Sequence, residues 1–135
     1  KDDLRAALGW LEARYPTLPL VVGGFSFGSM VGLSVGVDDP RVVALLGLGL
    51  PVTKGEYDYS FLAGVDKPVL VVQGEDDEFG SGAAAAEVLG PMGPNVTLVR
   101  ISGADHYFVN RLDKVRETVR GYYQSGPGAR VLAAF

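Results

Sequence analysis

Four short apolar runs, separated by segments long enough to form helices, constrain the fold of this 135-residue chain most strongly. The runs are LPLVVGG (18–24), RVVALLGLGL (41–50), KPVLVVQG (67–74) and NVTLVRIS (95–102). The first three are continuously apolar, which is typical of parallel strands covered on both faces, whereas the fourth alternates in part. Strands that alternate with helices favour right-handed crossover connections. We therefore predict an α/β fold in which an open parallel sheet is flanked by helices.

Helix-length segments lie before, between and after these runs. The first, at 3–15, carries apolar side chains at helical spacing, with Trp10 beside them: Leu4, Ala7, Leu8 and Leu11. The others are expected at 27–37, 80–89 and 110–124, and the last has an apolar face made of Leu112, Val115, Val119 and Tyr122 or Tyr123. The polar segment at 51–66 is expected to hold a short helix or to wall a pocket, and the tail at 126–135 has no assignment.

The composition excludes several classes of function. With 47% hydrophobic residues, the chain can build the core of a single domain. Its net charge of −4 offers no broad basic surface to nucleic acid or anionic lipid. No apolar run approaches the roughly 20 residues that cross a bilayer, and the absence of cysteine removes thiolate nucleophiles and zinc–thiolate sites. We expect a soluble, by default cytoplasmic protein that binds neither nucleic acid nor membranes.

The sequence Gly24-Phe25-Ser26-Phe27-Gly28 lies where the first strand is expected to end and a helix to begin. It matches the pattern G-x-S-x-G, in which a serine on a sharp turn is flanked by glycines because the backbone leaves no room for side chains there. Such a turn exposes the Ser26 hydroxyl at a helix N-terminus, where the backbone amide of Phe27 can stabilise an oxyanion. Ser26 is therefore a candidate nucleophile.

A nucleophilic serine needs a base, and His106 is the only histidine in the chain. It follows the fourth run, so it is expected at the same carboxyl edge of the sheet as Ser26, where open α/β sheets bind ligands. A carboxylate that orients the imidazole is expected in the remaining loop at that edge. The candidates there are Glu75, Asp76, Asp77 and Glu78, and the residues alone leave the choice among them open.

Two other interpretations of these motifs have less support. A glycine-rich turn at Gly23–Gly28 is also typical of phosphate binding, but the G-x-G-x-x-G spacing and the P-loop lysine are missing. The carboxylates at 75–78 are candidate metal ligands, but no second cluster of oxygen ligands accompanies them and their spacing is not that of an EF-hand. We therefore expect neither a metal site nor a cofactor.

The turn GFSFG, the strand end PVLVVQGEDDE and the histidine loop GADHYF together resemble the α/β-hydrolase superfamily, and within it small serine hydrolases without a lid. The order serine, acid, histidine is that of the superfamily, and the resemblance extends over nearly the whole chain. It implies that the acid is the third residue after Gly74, which is Asp77. It also implies hydrolysis of a small acyl ester, thioester or related compound through an acyl-enzyme, with Ser26, Asp77 and His106 as the catalytic triad.

Aromatic residues lie beside each candidate catalytic position. Phe25, Tyr107 and Phe108 flank the serine and the histidine, and Phe27 follows the serine directly. Such side chains are as typical of a core as of a binding pocket. We expect Phe25, Tyr107 and Phe108 to line an apolar pocket for the acyl group.

The resemblance covers only the C-terminal portion of the family's fold. The family's sheet normally has several strands before the serine turn, and one of the missing loops would supply the second oxyanion-hole amide. We therefore expect residues 1–135 to be a single domain that forms the C-terminal portion of an α/β-hydrolase domain, lacking its N-terminal strands. An upstream segment or a second copy of the chain would cover the exposed sheet edge. The alternative is a non-catalytic fragment or interaction module that acts through this edge.

Overall fold

Four parallel strands form one sheet in the computed structural model, which describes residues 1–55 and 57–134. The strands are β1 (Leu20–Phe25), β2 (Val42–Leu48), β3 (Val69–Gly74) and β4 (Val96–Ile101), and each pairs with the next in chain order. Each strand lies within one of the four predicted runs or extends one residue past it, so the prediction of an open parallel α/β sheet is confirmed.

Five helices flank the sheet within the described residues. They are α1 (Asp2–Arg14), α2 (Phe27–Gly36), α3 (Gly82–Leu89), α4 (Leu112–Gln124) and α5 (Pro127–Leu132). The first four agree with the predicted helices to within two residues at each end, whereas α5 lies in the tail that had no assignment. The segment at 51–66 contains two short 3-10 turns, Thr53–Gly55 and Ser60–Leu62. Glu56 in this segment and Phe135 in the tail lie outside the described residues.

The strand β3 explains why the apolar runs are continuous. All six of its residues are buried, because both faces of the sheet are covered at this position. Val69 and Val71 face one apolar cluster, which includes Leu33 of α2, whereas Leu70 and Val72 face a second cluster, which includes Val115 of α4. A strand with this environment needs no polar face.

The predicted apolar faces of two helices are only partly buried. In α1, Leu8 joins the core, but Ala7 is exposed and the Trp10 side chain is 62% exposed. In α4, Val115 reaches the core, whereas Leu112 at the first helical position lies beyond the cluster and is 66% exposed. Helical spacing therefore identified the correct side of each helix but overestimated how much of that side is covered.

The strand β1 forms an edge of the sheet as described. It pairs with β2 on one side, and no described residue pairs with it on the other. Val21 and Phe25 on this strand are each 41% exposed although their side chains are apolar. None of the described helices is long and apolar enough to cross a membrane.

Candidate active site

Ser26 lies on the sharp turn between the end of β1 and the start of α2. Its backbone has φ 53° and ψ −127°, a conformation that side chains rarely adopt. A Cβ atom at Gly24 would collide with the backbone carbonyl of Gly28, so glycine is required at position 24. At Gly28, which is exposed on the first turn of α2, a Cβ atom would meet nothing within 4 Å. The expectation that both glycines are needed for space is therefore correct for Gly24 and wrong for Gly28.

His106 joins the serine to a carboxylate. Its Nε2 atom lies 3.0 Å from the Oγ atom of Ser26, and its Nδ1 atom lies 2.8 Å from Oδ2 of Asp77. Since a carboxylate accepts hydrogen bonds, the network assigns the ring proton to Nδ1, which leaves the Nε2 lone pair facing the serine hydroxyl. His106 and Asp77 are each 3% exposed, whereas Ser26 is half-buried.

The three side chains come from loops that follow three different strands. Ser26 follows β1, Asp77 follows β3 and His106 follows β4, so parallel pairing brings them to the same carboxyl edge of the sheet. This arrangement is the one that the sequence predicts for a ligand site in an open α/β sheet.

The acidic loop after β3 separates its four carboxylates. Asp77 alone is buried, and its Oδ1 atom accepts a hydrogen bond of 2.8 Å from the backbone amide of Phe79. Asp76 and Glu78 are exposed, and Glu75 accepts a hydrogen bond of 2.7 Å from Arg100, whose pKa is raised by that contact. The four groups thus do not converge on one point, and the loop presents a single carboxylate to the imidazole.

Close backbone packing holds the histidine loop against the end of β3. A Cβ atom at Gly74 would overlap the carbonyl oxygen of Ala104 and lie 2.7 Å from that of Asp105. The backbone amide of Asp76 donates to the carbonyl of Ala104 at 3.0 Å. Side-chain Oδ1 of Asp105 in turn accepts from the amides of Tyr107 and Val109, at 3.1 and 3.0 Å, which shapes the turn around His106.

Aromatic rings surround the imidazole. The ring of Phe25 has its centroid 4.9 Å from that of His106, and Tyr107 meets the ring edge-on at 5.2 Å. Phe79, which sequence reasoning missed, lies at 4.6 Å and is 46% exposed. Its only sequence signal is an aromatic residue at the end of the acidic loop. Phe25, Phe79 and Tyr107 therefore form a partly exposed aromatic wall beside the histidine.

Phe108 does not belong to this wall. It is 3% exposed and packs in the second apolar cluster, with Val115 and Tyr122 of α4. Its backbone has φ 55°, so the chain turns at this residue and sends the side chain into the core while Tyr107 stays outside. The expectation that Phe108 lines a pocket is wrong.

The amide of Phe27 is placed as an oxyanion donor would be. Phe27 is the first residue of α2, so its N–H points out of the helix N-terminus and has no intrahelical acceptor. The Ser26 side chain makes no cap hydrogen bond to the helix and is directed to His106 instead. The phenyl group of Phe27 is 60% exposed and lies 6.1 Å from the ring of Tyr57.

Comparison with known proteins gives a consistent result. The profile of a family described as "Alpha/beta hydrolase domain" matches residues 2–123. A serine hydrolase without a lid from Xanthomonas campestris is 32% identical with a TM-score of 0.79, over 91% of this chain and 55% of that structure. An alpha-beta serine hydrolase homologue from Coxiella burnetii is 30% identical with a TM-score of 0.76, over 86% of this chain and 54% of the other.

A curated relative without a described activity is also similar in sequence. This uncharacterized protein of Rickettsia prowazekii (strain Madrid E) is 28% identical over 127 residues, which are 89% of this chain and 53% of the relative. The chain therefore spans about half the length of each of these proteins.

Proposed function

Because the chain belongs to the α/β-hydrolase domain family, we propose that it is a serine hydrolase that cleaves carboxylic esters or thioesters through an acyl-enzyme. The observation that carries the proposal is the unbroken line of hydrogen bonds from Asp77 through His106 to Ser26, at 2.8 and 3.0 Å. A serine held in a strained turn at a helix N-terminus, with an imidazole already in contact, is arranged for nucleophilic attack. The serine hydrolases among the structural relatives add support.

Acylation begins when the Oγ atom of Ser26 attacks the acyl carbon and its proton passes to Nε2 of His106. The amide of Phe27 stabilises the resulting oxyanion. When the tetrahedral intermediate collapses, the imidazolium returns the proton to the departing alkoxide or thiolate. Asp77 accepts the Nδ1–H hydrogen bond throughout, which keeps the imidazolium oriented and stabilises its charge.

Deacylation repeats the same steps with water. His106 takes a proton from water as the hydroxide equivalent attacks the acyl carbon, and it then protonates Ser26 as the carboxylic acid leaves. The aromatic wall of Phe25, Phe79 and Tyr107 offers an apolar surface next to the reacting atoms, which suits an apolar acyl or alcohol group.

A fluorophosphonate probe tests the nucleophile directly. We expect the probe to form an adduct on Ser26 alone. Ser26→Ala should lose both the adduct and ester turnover. Ser34→Ala is the matched control, because Ser34 lies on the same helix with its hydroxyl bonded to the carbonyl of Val31, and it should label normally. Adducts on another residue, or ester turnover that persists in Ser26→Ala, would refute the proposal.

A non-catalytic interaction module is the second candidate, and the free edge of β1 favours it. The two candidates can be separated by adding to this chain the segment of the Xanthomonas structure that it does not cover, and then measuring ester turnover. A hydrolase should gain on the order of 100-fold to 1,000-fold in turnover when that part is added, because it would restore a second oxyanion donor. An interaction module should bind the added part without acquiring ester turnover.

A further inference from the structure

Gln73 is a buried polar residue in the apolar strand β3. Its side chain is fully buried, and the residues before it, Val69–Val72, are all apolar. A carboxamide in this position must find hydrogen-bond partners, because leaving a buried polar group unsatisfied is costly. Its partners therefore indicate what the residue does.

Two of the contacts tie Gln73 to the loop after β2. The side-chain Oε1 atom accepts a hydrogen bond of 2.8 Å from the amide of Leu50, and Nε2 donates one of 3.0 Å to the carbonyl of the same residue. This pairing fixes the orientation of the carboxamide. In the flipped orientation, Nε2 would face the Leu50 N–H, and Oε1 would face only acceptor oxygens.

The remaining contacts reach the acidic loop. Nε2 of Gln73 lies 2.5 Å from the carbonyl oxygen of Gly80 and 3.3 Å from Oδ2 of Asp77. That carboxylate oxygen is the one that meets Nδ1 of His106. Nε2 has two protons for three acceptor oxygens, so the contact to Oδ2 of Asp77 shares a proton with a backbone carbonyl. Gln73 thus holds the far end of the acidic loop and also contacts the carboxylate, while the Phe79 amide holds the other carboxylate oxygen at 2.8 Å.

We propose that Gln73 is a positioning residue that fixes the Asp77 carboxylate so that Oδ2 faces Nδ1 of His106. The terminal torsion of an aspartate is broad, so the carboxylate needs partners on both oxygens to keep one orientation. With Asp77 fixed, the ring proton stays on Nδ1, and Nε2 remains free to accept the Ser26 proton. The inference rests on the proposed function for its catalytic meaning, but the contact itself is measured without turnover.

The single histidine of the chain provides the readout. Nitrogen-15 shifts of the His106 ring report which nitrogen carries the proton. In Gln73→Met, which keeps the side-chain length but removes every hydrogen bond, we expect part of the population to move from the Nδ1–H to the Nε2–H tautomer. Ester turnover should fall with kcat lower by on the order of 10-fold to 100-fold and KM changed by less than about threefold.

Val69→Ala is the matched control, because Val69 is fully buried at the opposite end of the same strand, four residues before Gln73, and its side chain has no hydrogen-bonding group. It should destabilise the chain without changing the tautomer. Equal tautomer populations in Gln73→Met and the unchanged chain, or an equal shift in Val69→Ala, would overturn the inference. Either result leaves the Ser26 labelling test untouched, so the two proposals fail separately.

A reciprocal measurement covers the case in which Gln73→Met does not fold. In Asp77→Ala, the charged acceptor is removed while the Leu50 contacts remain. The side-chain amide protons of Gln73 should then shift upfield and exchange faster with solvent, and the Leu50 amide should not move. An unchanged Gln73 amide resonance would show that no hydrogen bond to the carboxylate exists.

Discussion

At the scale of single residues, Ser26 shows how the site depends on backbone strain. Its φ of 53° with ψ −127° lies in a region that is nearly restricted to glycine, which costs on the order of 1–3 kcal/mol. Neighbouring hydrogen bonds hold the turn in place: the Ser26 amide donates to the carbonyl of Leu48, and the Ser29 amide donates to the carbonyl of Ser26, both at 2.9 Å. The strained residue is also the one proposed to react, so Ser26→Gly removes both the strain and the nucleophile, whereas Ser26→Ala removes the nucleophile alone.

Ser26→Gly should be more stable than Ser26→Ala. Glycine relieves the strain, and the gain exceeds the roughly 0.5–1 kcal/mol that glycine loses through the entropy of the unfolded chain. We expect a difference of about 1 kcal/mol in the free energy of unfolding, measured with urea. The same pair of substitutions at Ser34, inside α2, should give the opposite sign, because alanine is favoured in a helix. A less stable glycine variant at position 26 would contradict the strain argument.

Gly49→Ala should reduce hydrolysis because the added methyl group would lie 3.3 Å from the ring of Phe25 and would press on that ring and on the imidazole. Gly49 has φ 58°, and a Cβ atom there would lie 3.4 Å from both Nδ1 and Cε1 of His106. Gly64→Ala is the control, since it has φ 71° and no atom within 4 Å of the added carbon. Both variants should lose about 1–2 kcal/mol of stability, but only Gly49→Ala should lower kcat. Equal kcat in the two variants would show that position 49 does not affect the histidine.

The sequence predicts the role of a residue where that role depends on a short local motif. Ser26 lies in a recognisable turn motif, and His106 is the only histidine in the sequence. Both candidate roles could therefore be predicted without coordinates. The roles of Gln73 and Gly49 depend on loops that are distant in the chain and touch only after folding. Phe108 was misplaced because nothing local shows that the backbone turns its side chain away from that of Tyr107.

At the scale of elements, the strands were easier to predict than the faces of the helices. A buried strand such as β3 is apolar along its whole length, and few other short elements have that composition. The exposure of Trp10 on α1 depends on what covers that helix, which its own spacing cannot reveal. The helix α5 was missed because its six residues are too few to show a periodic pattern.

The connection between α2 and β2 should contribute stability that depends on pH. Asp39 accepts hydrogen bonds from Arg41 at 2.6 and 2.8 Å, and these bonds hold the pKa of its carboxyl below the usual value. A pKa that is lower in the folded than in the unfolded state stabilises the fold above the unfolded pKa of about 3.9. This stability is lost as the pH falls through the folded pKa.

Asp39→Asn should therefore lower the melting temperature at neutral pH, and the difference from the unchanged chain should vanish in acid, below the folded pKa. Thermal melts followed by circular dichroism across this range measure the effect. Asp38→Asn is the control, because Asp38 is exposed on the same turn and its substitution should change the melting temperature little. A constant difference between Asp39→Asn and the unchanged chain at every pH would refute the linkage.

At the scale of the whole molecule, the described residues contain all three groups of the proposed triad but a sheet with a free edge at β1. The chain spans about half the length of the relatives it matches. We propose that an upstream segment or a second copy of this chain covers β1.

Residues 1–135 alone should self-associate through β1, because an unpaired apolar strand edge is a template for another strand. Val21→Lys places a charge on this strand and should shift the chain toward the monomer in sedimentation velocity. Val109→Lys makes the same change at an exposed residue outside the sheet and should leave the association unchanged. A chain that is monomeric at all concentrations would remove the case for pairing at this edge.

The hydrogen bond between Ser26 and His106 joins residues that are 80 positions apart in the chain. During translation the serine turn leaves the ribosome before the proposed base, which arrives only after β4 has been made. An incomplete translation product would consequently carry an inert serine, whatever strands it had already paired. Reactivity of this proposed nucleophile toward a phosphonate is then a chemical check that synthesis has run past the histidine and that β4 has docked.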